Sequence, residues 1–248
     1  MSAIKGARER ARTEITAAIK DEARAQLAAE GASRLSLRAV ARELGMVSSA
    51  LYRYFPSRDE LLTALIIDAY DAIGEAAEKA VRDATASQDG SSVTASPDGS
   101  SATAWTAVAC AVRKWALAHP HEYALIHGSP VPGYVAPQDT VGPASRVGMA
   151  LIGLIREAHR GECLATPPLS AALRPEAVRM AAELAPDLPP ANAAALVIAW
   201  AQLFGLVSFE VFGQFNGVVV DRETLFRQAA DGLAHSVGLT VPGELSEG

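Results

Sequence analysis

The chain has 248 residues, of which 50% are hydrophobic and 20% charged, a composition typical of a folded protein and not of a disordered one. Its formal net charge of −6 argues at first against a nucleic-acid partner. The charges are unevenly distributed, however: residues 1–60 contain 11 Lys and Arg against 8 Asp and Glu, and the remainder contains 11 against 20. A basic N-terminal part followed by an acidic body suits a protein that binds DNA with one end.

Cysteine usage and the first residues both favour a protein of the reducing cytoplasm. Cys110 and Cys163 have neither the spacing of a metal site nor that of a disulfide framework. The first residues alternate charge with alanine and do not form a signal peptide. The apolar run 193–209, AAALVIAWAQLFGLVSF, is at the short limit of a membrane span and contains Gln202. We therefore expect a buried or interface helix there, and no membrane partner.

The N-terminal periodicity predicts one long helix from Glu9 to Glu30, ended by Gly31, with residues 2–8 as a disordered arm. Two short helices then follow in the run 37–58, LRAVARELGMVSSALYRYFPSR. Gly45 lies where the first of them must stop, because glycine takes the left-handed conformation at no steric cost. Ser36 and Ser48 are predicted to cap the two helices. This layout predicts a helix-turn-helix, whose second helix enters the major groove of DNA.

The polar residues of this unit also suit DNA, since no carboxylate occurs between Met46 and Arg58. We expect Tyr52, Ser48 and Ser49 to approach the bases, and Tyr54 and Arg58 to contact phosphate. Arg38, at the start of the first short helix, is the best candidate for a guanine contact or for its flanking phosphate. The predicted DNA-binding residues are Arg38, Ser48, Ser49, Tyr52, Arg53, Tyr54 and Arg58.

Residues 1–56 are predicted to be the helix-turn-helix domain and residues 57–248 a second helical domain. A capping box, Ser57 to Glu60, opens a long helix from Asp59 to about residue 84. The Ser-, Asp-, Gly- and Pro-rich run 85–103 is predicted to be a disordered loop. Further helices are predicted at 104–118, 120–128, 144–160, 174–185, 191–213 and 221–237, with prolines between them. No strand alternation persists, so the predicted fold class is all-α.

The predicted helix 191–213 is apolar nearly all round, which a single surface helix cannot be. We expect it to pair with helix 221–237 in a two-fold homodimer interface. The predicted interface residues are Leu196, Ala199, Leu203, Leu206, Leu225, Phe226 and Leu233.

No catalytic or metal site is predicted from the sequence. His119, His121 and Glu122 surround a proline at a helix start, where first-turn side chains do not converge on one ion. Neither a P-loop nor a Gly-rich dinucleotide turn occurs, and Ser129 lacks the context of a nucleophile elbow. We therefore expect no cofactor and no enzyme activity.

The run 36–66, SLRAVARELGMVSSALYRYFPSRDELLTALI, resembles the DNA-binding domain of the tetracycline-repressor (TetR) family of bacterial regulators. The run 115–134, WALAHPHEYALIHGSPVPGY, resembles the ligand domain named for its Trp-His-Gly signature, matched by Trp115, His127 and Gly128. The resemblance implies double-stranded operator DNA as partner, a homodimer joined by a four-helix bundle, and usually repression. It also implies an effector cavity in the helical body.

The candidate wall of that cavity comprises Trp115, Tyr123, His127 and Tyr134, with His127 as the hydrogen-bonding group. Because Arg113, Lys114, Arg146 and Arg156 are expected on outer faces, a buried anion would have no basic partner. The predicted effector is therefore small, apolar, and neutral or cationic. Two alternatives remain: an effector-independent architectural DNA-binding protein, and a helical enzyme whose N-terminal part only mimics the motif.

Overall fold

The computed structural model describes residues 2–89 and 97–239, and within these ranges the chain is helical, with one isolated bridge between Leu164 and Leu239 and no strand. The predicted all-α class is confirmed. The helices are α1 (Ser2–Glu30), α2 (Leu37–Glu43), α3 (Ser48–Leu51), α4 (Arg58–Asp89), α5 (Pro97–Ala118), α6 (Pro120–His127), α7 (Val141–Arg160), α8 (Arg174–Leu184), α9 (Pro190–Val211) and α10 (Arg222–Ser236).

Two predicted disordered segments are helical where they are described. Residues 2–8 belong to α1, so the prediction of a disordered arm is wrong; alternating alanine and charge also favours a helix. The predicted loop 85–103 is wrong at both ends, because α4 extends to Asp89 and α5 begins at Pro97. The Thr85 hydroxyl donates back to the carbonyls of Val81 and Arg82, at 3.1 and 2.9 Å, and so remains compatible with a helix. Residues 90–96 of that loop lie outside the described residues.

The described chain divides into two compact units. The first contains α1 to the middle of α4, up to Asp71, together with residues 119–144, which include α6. The second contains residues 72–118 and the chain from Ser145 onward. The boundary predicted after residue 56 is defined by function: it separates the expected DNA-binding residues from the rest of the chain. The division into two units is defined by packing contacts, so the two boundaries describe different properties.

The first unit has a single hydrophobic core formed by α1, α2, α3 and α4. Ile19, Ala23, Val40, Leu51 and Leu61 are among its buried residues. Leu125 of α6 and Val131 and Tyr134 of the following loop pack against the same core. A segment from the middle of the sequence therefore helps to support the helix-turn-helix.

In the second unit α9 packs against α5, α8 and α10. The buried face of α9 contains Leu196, Ala199, Leu203 and Val207, spaced by three and four residues as one side of a helix requires. By length and composition α9 is apolar enough to cross a membrane, with a mean hydropathy of 1.8 in its most apolar window. Its inner side is nevertheless part of the core of this unit.

A buried ion pair joins three helices of the second unit. Arg113 of α5 donates from Nε and Nη2 to the two carboxylate oxygens of Glu210 in α9, both at 2.7 Å. The guanidinium also lies 5.4 Å from the ring centroid of Phe226 in α10. The expected outer-face position of Arg113 is therefore wrong. Arg146 is also engaged within this unit, in a bidentate pair with Glu78 at 2.8 Å.

The start of α9 holds the end of α10 and the segment after α7 together. Asn192 is fully buried, and its amide Nδ2 donates to the carbonyls of Ala165 and Val237, both at 2.9 Å. The Ala165 amide donates to the Gly238 carbonyl at 2.9 Å. Gly238 has φ +94°, and a Cβ there would lie 2.1 Å from the Ala165 carbonyl oxygen. Only glycine fits this crossing without displacement of the backbone.

We predict that Gly238→Ala lowers the free energy of unfolding by on the order of 2 kcal/mol, because the methyl group strains both φ and the contact with Ala165. Gly153→Ala is the matched control: it lies in α7, and nothing lies within 4 Å of its added Cβ. That substitution should be neutral or stabilise by up to about 1 kcal/mol. Chemical denaturation of both variants measures the difference, and equal stabilities would contradict the steric argument.

Candidate DNA-binding surface and effector region

Helices α2 and α3 form the predicted helix-turn-helix. The turn begins at Gly45, whose φ is +64°, as expected for the residue that ends α2. The Met46 amide donates to the Ala41 carbonyl at 2.8 Å and closes the turn. Leu51 of α3 is fully buried in the core of the first unit and holds α3 against it. The rest of α3 is thereby presented on one side of a rigid support.

Two of the predicted helix caps are confirmed and one is wrong. The Ser36 hydroxyl accepts from the Ala39 amide at 3.4 Å, and the Ser57 hydroxyl accepts from the Glu60 amide at 3.1 Å. Ser48 does not cap α3: it is the first residue of that helix, and the cap position is occupied by Val47. Valine has no hydrogen-bonding side chain and cannot satisfy the first amides of the helix.

Five of the seven predicted DNA-binding residues are exposed. Arg38 lies in α2, Ser48 and Ser49 open α3, and Tyr52 and Arg53 follow at its C-terminal end. Tyr52 is 41% exposed. Their exposure on one helix-turn-helix makes them available to a nucleic acid. Arg38 and Tyr52 also share a shallow pocket of about 330 Å³ with Ser36, Ser57 and Arg58, large enough for a phosphate group.

Arg58 and Tyr54 have partners inside the first unit. Arg58 donates from Nε to the Leu35 carbonyl at 3.2 Å, and from Nη2 to those of Ala32 and Ser33 at 2.8 and 3.3 Å. Tyr54 packs against the core, and the Arg12 guanidinium lies 5.8 Å from its ring centroid. Arg58 therefore fastens the 3-10 turn Ala32–Arg34 to the start of α4, a structural role that sequence reasoning missed.

Arg24 links three elements of the first unit. It donates to Asp21 in α1 at 2.8 Å, to Asp68 in α4 at 2.6 Å, and to Glu122 in α6 at 3.1 Å. Lys20 adds a second bond to Asp68 at 2.8 Å. Glu122, weighed above as a metal ligand, thus accepts from an arginine. Among the described residues no cluster of His, Cys, Asp or Glu is arranged to hold a metal ion.

Three of the four predicted effector-wall residues lie near one another in the first unit. The His127 ring centroid is 5.0 Å from that of Tyr123 and 6.1 Å from that of Tyr70, which sequence reasoning missed. The hydroxyl of Tyr134 is 2.9 Å from that of Thr63. The Tyr70 hydroxyl donates to the Ile126 carbonyl at 3.3 Å. Tyr123 is fully buried and belongs to the packed interior.

Burial changes the ionisation of this cluster. It lowers the pKa of His127 to about 4, so the imidazole is neutral at physiological pH. It also raises the pKa of Tyr70, with a smaller contribution from Tyr134. At neutral pH the cluster therefore offers uncharged hydrogen-bonding groups.

The fourth predicted wall residue, Trp115, lies in α5 of the second unit and is largely buried. An open cleft of about 390 Å³ occurs in the first unit, between α1, α6 and the loop after α6. It is lined by Leu27, Leu125, Pro130 and Val131, with His121, Ser33 and Ser129 among its polar residues. Tyr123, His127 and Tyr134 are not part of that lining.

Comparison with known proteins matches both halves of the chain to one family. Residues 19–65 match the family model described as bacterial regulatory proteins, tetR family. Residues 105–233 match a family model described as tetracyclin repressor-like, C-terminal domain. Neither description names the Trp-His-Gly subtype, which stays a prediction.

Curated relatives agree over nearly the full length. HTH-type transcriptional regulators of Mycobacterium bovis and Mycobacterium tuberculosis are 40% identical over 233 residues, which cover 88% of this chain and 93% of each relative. The crystal structure of SCO4313, described as a regulatory protein, superposes with a TM-score of 0.71 at 35% identity and covers 92% of this chain and 98% of that one.

A more distant structure shares the fold alone. The TetR family transcriptional regulator PfmR from Thermus thermophilus has a TM-score of 0.53 at 17% identity, covering 88% of this chain and 97% of its own. The two family models and the mycobacterial relatives together establish the assignment. The chain belongs to the TetR family of helix-turn-helix transcription regulators, which are not enzymes, bind operator DNA and act as dimers.

Proposed function

We propose that this regulator is a cytoplasmic repressor that a small apolar molecule releases from its operator. The observation that carries the DNA-binding part is the exposed set Arg38, Ser48, Ser49, Tyr52 and Arg53 on one helix-turn-helix. Arginine, serine and tyrosine donate hydrogen bonds to phosphates and base edges. No carboxylate interrupts the run from Met46 to Arg58.

The proposed contacts differ in role. Ser48, Ser49 and Arg53 suit base edges, and Arg38 suits a guanine or its flanking phosphate. Tyr52 lines the same shallow pocket as Arg38, which supports a contact with the DNA backbone beside the base contact first expected. Tyr54 and Arg58 remain candidates for phosphate, but their internal partners favour a supporting role.

We predict that Arg38→Ala weakens DNA binding by about 1–3 kcal/mol without changing the melting temperature, because the side chain is exposed. Arg58→Ala should instead lower the melting temperature, because the carbonyls of Ala32, Ser33 and Leu35 lose their donor. The probe is the best duplex that the wild-type protein selects from a random-sequence library. Unchanged affinity and unchanged sequence preference in Arg38→Ala would remove Arg38 from the interface.

For the dimer we propose the outward face of α9, not the face predicted from the sequence. Leu196, Ala199, Leu203, Phe226 and Leu233 are buried within the protomer, so they form its core and are unavailable to a partner. The opposite side of α9 exposes Ile198, Gln202 and Phe209, and Phe212, directly after α9, and Leu225 of α10 are exposed as well. Ile198 and Phe209 are 50% and 52% exposed, which is costly for apolar side chains in a monomer.

We predict that Ile198→Glu and Phe209→Glu each convert the dimer to monomers that keep their helical content but lose tight operator binding. A charge on this face would have to be buried without a partner in the dimer. The matched control is Val178→Glu on α8, at a valine 53% exposed. Sedimentation velocity at micromolar concentration distinguishes the outcomes, and dimers in both α9 variants would exclude this face.

For the effector we propose a small, mostly apolar and uncharged molecule bound next to His127 in the first unit, with Tyr123 and Tyr134 retained as candidate wall residues. The neutral imidazole of His127 supports this class, because an uncharged ring both donates and accepts a hydrogen bond. Arg113 and Arg146 are each in a bidentate ion pair, which disfavours an anion. Tyr70 joins the candidates through its contact with His127.

We predict that stability falls as the pH decreases from about 6.5 to about 4, because the unfolded His127 takes up a proton that the folded protein resists. The contribution of the neutral His127 to the free energy of unfolding is fully present above pH 6.5 and is lost towards pH 4. The loss is at most about 3 kcal/mol. In urea titrations, the free energy of unfolding of His127→Gln should fall less than that of wild type between pH 7 and pH 4.5. Identical profiles for the two proteins would contradict a buried neutral imidazole.

The effector-dependent part is tested with the selected duplex and a panel of apolar metabolites and drugs. Compounds that raise the melting temperature should release the DNA, because binding energies at the two sites are reciprocally coupled. Compounds that bind without releasing the DNA would favour the effector-independent alternative. Hits confined to polar anions would contradict the assignment of an apolar pocket beside His127.

A further inference from the structure

Val47 is the most exposed large apolar residue among residues 6–71. It is 70% exposed, and the only other exposed large hydrophobic residue in that range is Tyr52. Both flank the recognition helix α3. The preceding residue, Met46, packs against the core of the first unit, so consecutive side chains point inward and outward.

Valine at this cap position also stabilises α3 less than a residue with a capping side chain would. Its backbone carbonyl accepts from the Ala50 amide at 2.9 Å, but its side chain makes no hydrogen bond to the helix. The neighbouring helices α2 and α4 use Ser36 and Ser57 for that purpose. A serine at position 47 would stabilise α3 by about 1 kcal/mol. An exposed β-branched residue that the fold does not need indicates a contact outside the protein.

The chemistry of DNA limits what that contact is. Phosphates and sugars offer hydrogen-bond acceptors and charge, for which valine has no group. The major groove presents one apolar group on its base edges, the C5-methyl of thymine, which small apolar side chains recognise. Val47 directly precedes Ser48 and Ser49, the exposed serines proposed above to approach the bases.

We propose that Val47 is a specificity-determining residue that contacts the C5-methyl group of a thymine in each operator half-site. This rests on the proposed DNA-binding function of α3. The thymine would be selected by shape and methyl burial and not by a hydrogen bond. Val47 thus complements Ser48 and Ser49, which provide hydrogen bonds to the adjacent base edges.

The test uses the duplex that the wild-type protein selects from a random-sequence library. Each thymine of a half-site is replaced in turn by deoxyuridine, with at most one replaced position per half-site in each duplex variant. This removes the methyl group and leaves base pairing intact. At the position that Val47 contacts, the affinity of the wild-type protein for the duplex should fall about fourfold when one half-site carries deoxyuridine. It should fall about 15-fold when both half-sites carry it, because each half-site then loses one buried methyl group. Val47→Ser should bind the thymine and deoxyuridine duplexes equally at that position, and Val47→Ala should discriminate between them less than wild type does.

Two controls keep the outcomes separate. Val47→Ser should melt at a higher temperature than wild type, which shows that its lost discrimination is not misfolding. Val178→Ser, at an exposed valine on α8, should keep the wild-type response to deoxyuridine. If wild type selects no duplex, the DNA-binding function itself fails. If it selects one but no deoxyuridine position separates wild type from the Val47 variants, only the role of Val47 is overturned.

Discussion

The ion pair between Arg113 and Glu210 determines which side of α9 faces the core. Glu210 is the only charged residue of α9, and the rest of the helix is apolar nearly all round, so hydrophobicity alone does not choose a face. Glu210 is 8% exposed and bidentately paired, and removing one partner of such a pair costs about 3–5 kcal/mol. Rotating α9 would leave the carboxylate buried without its arginine. The outward apolar face, with Ile198 and Phe209, follows from this constraint.

The same constraint explains where sequence reasoning about α9 succeeded and failed. Its apolar composition predicted a helix with more than one face to bury, and one of these faces lies in the core of the second unit. The spacing of Leu196, Ala199 and Leu203 identified one such face, but periodicity cannot tell a core face from a subunit face when both are apolar. The distinguishing signal was Glu210, which lies on the same side as those residues, and its partner Arg113 is 97 positions away. A pairing over that distance cannot be predicted from a single sequence.

The helix-turn-helix was predictable in greater detail because its determinants are local. Gly45, Ser36 and Ser57 act within a few residues of their own positions, and the structure has each of them in the expected conformation or hydrogen bond. The error at Ser48 has a physical origin: a serine pair beside an exposed valine resembles a cap, although α3 starts one residue earlier than a capping rule predicts. The structural role of Arg58 was missed because its carbonyl partners lie 23 to 26 residues away, beyond the reach of local patterns.

Within the first unit α6 interacts with both α1 and α4. Arg24 bonds Asp68 and Glu122, so α1, α4 and α6 share one guanidinium. His127 lies at the end of α6, and its partner Tyr70 lies two residues after Asp68 in α4. Under the proposed function, a ligand that shifts α6 at His127 would displace Glu122 from Arg24 or move α1 with it. Because α1 and α4 pack on α2 and α3 in one core, either response reaches the DNA-binding surface through contacts within the first unit.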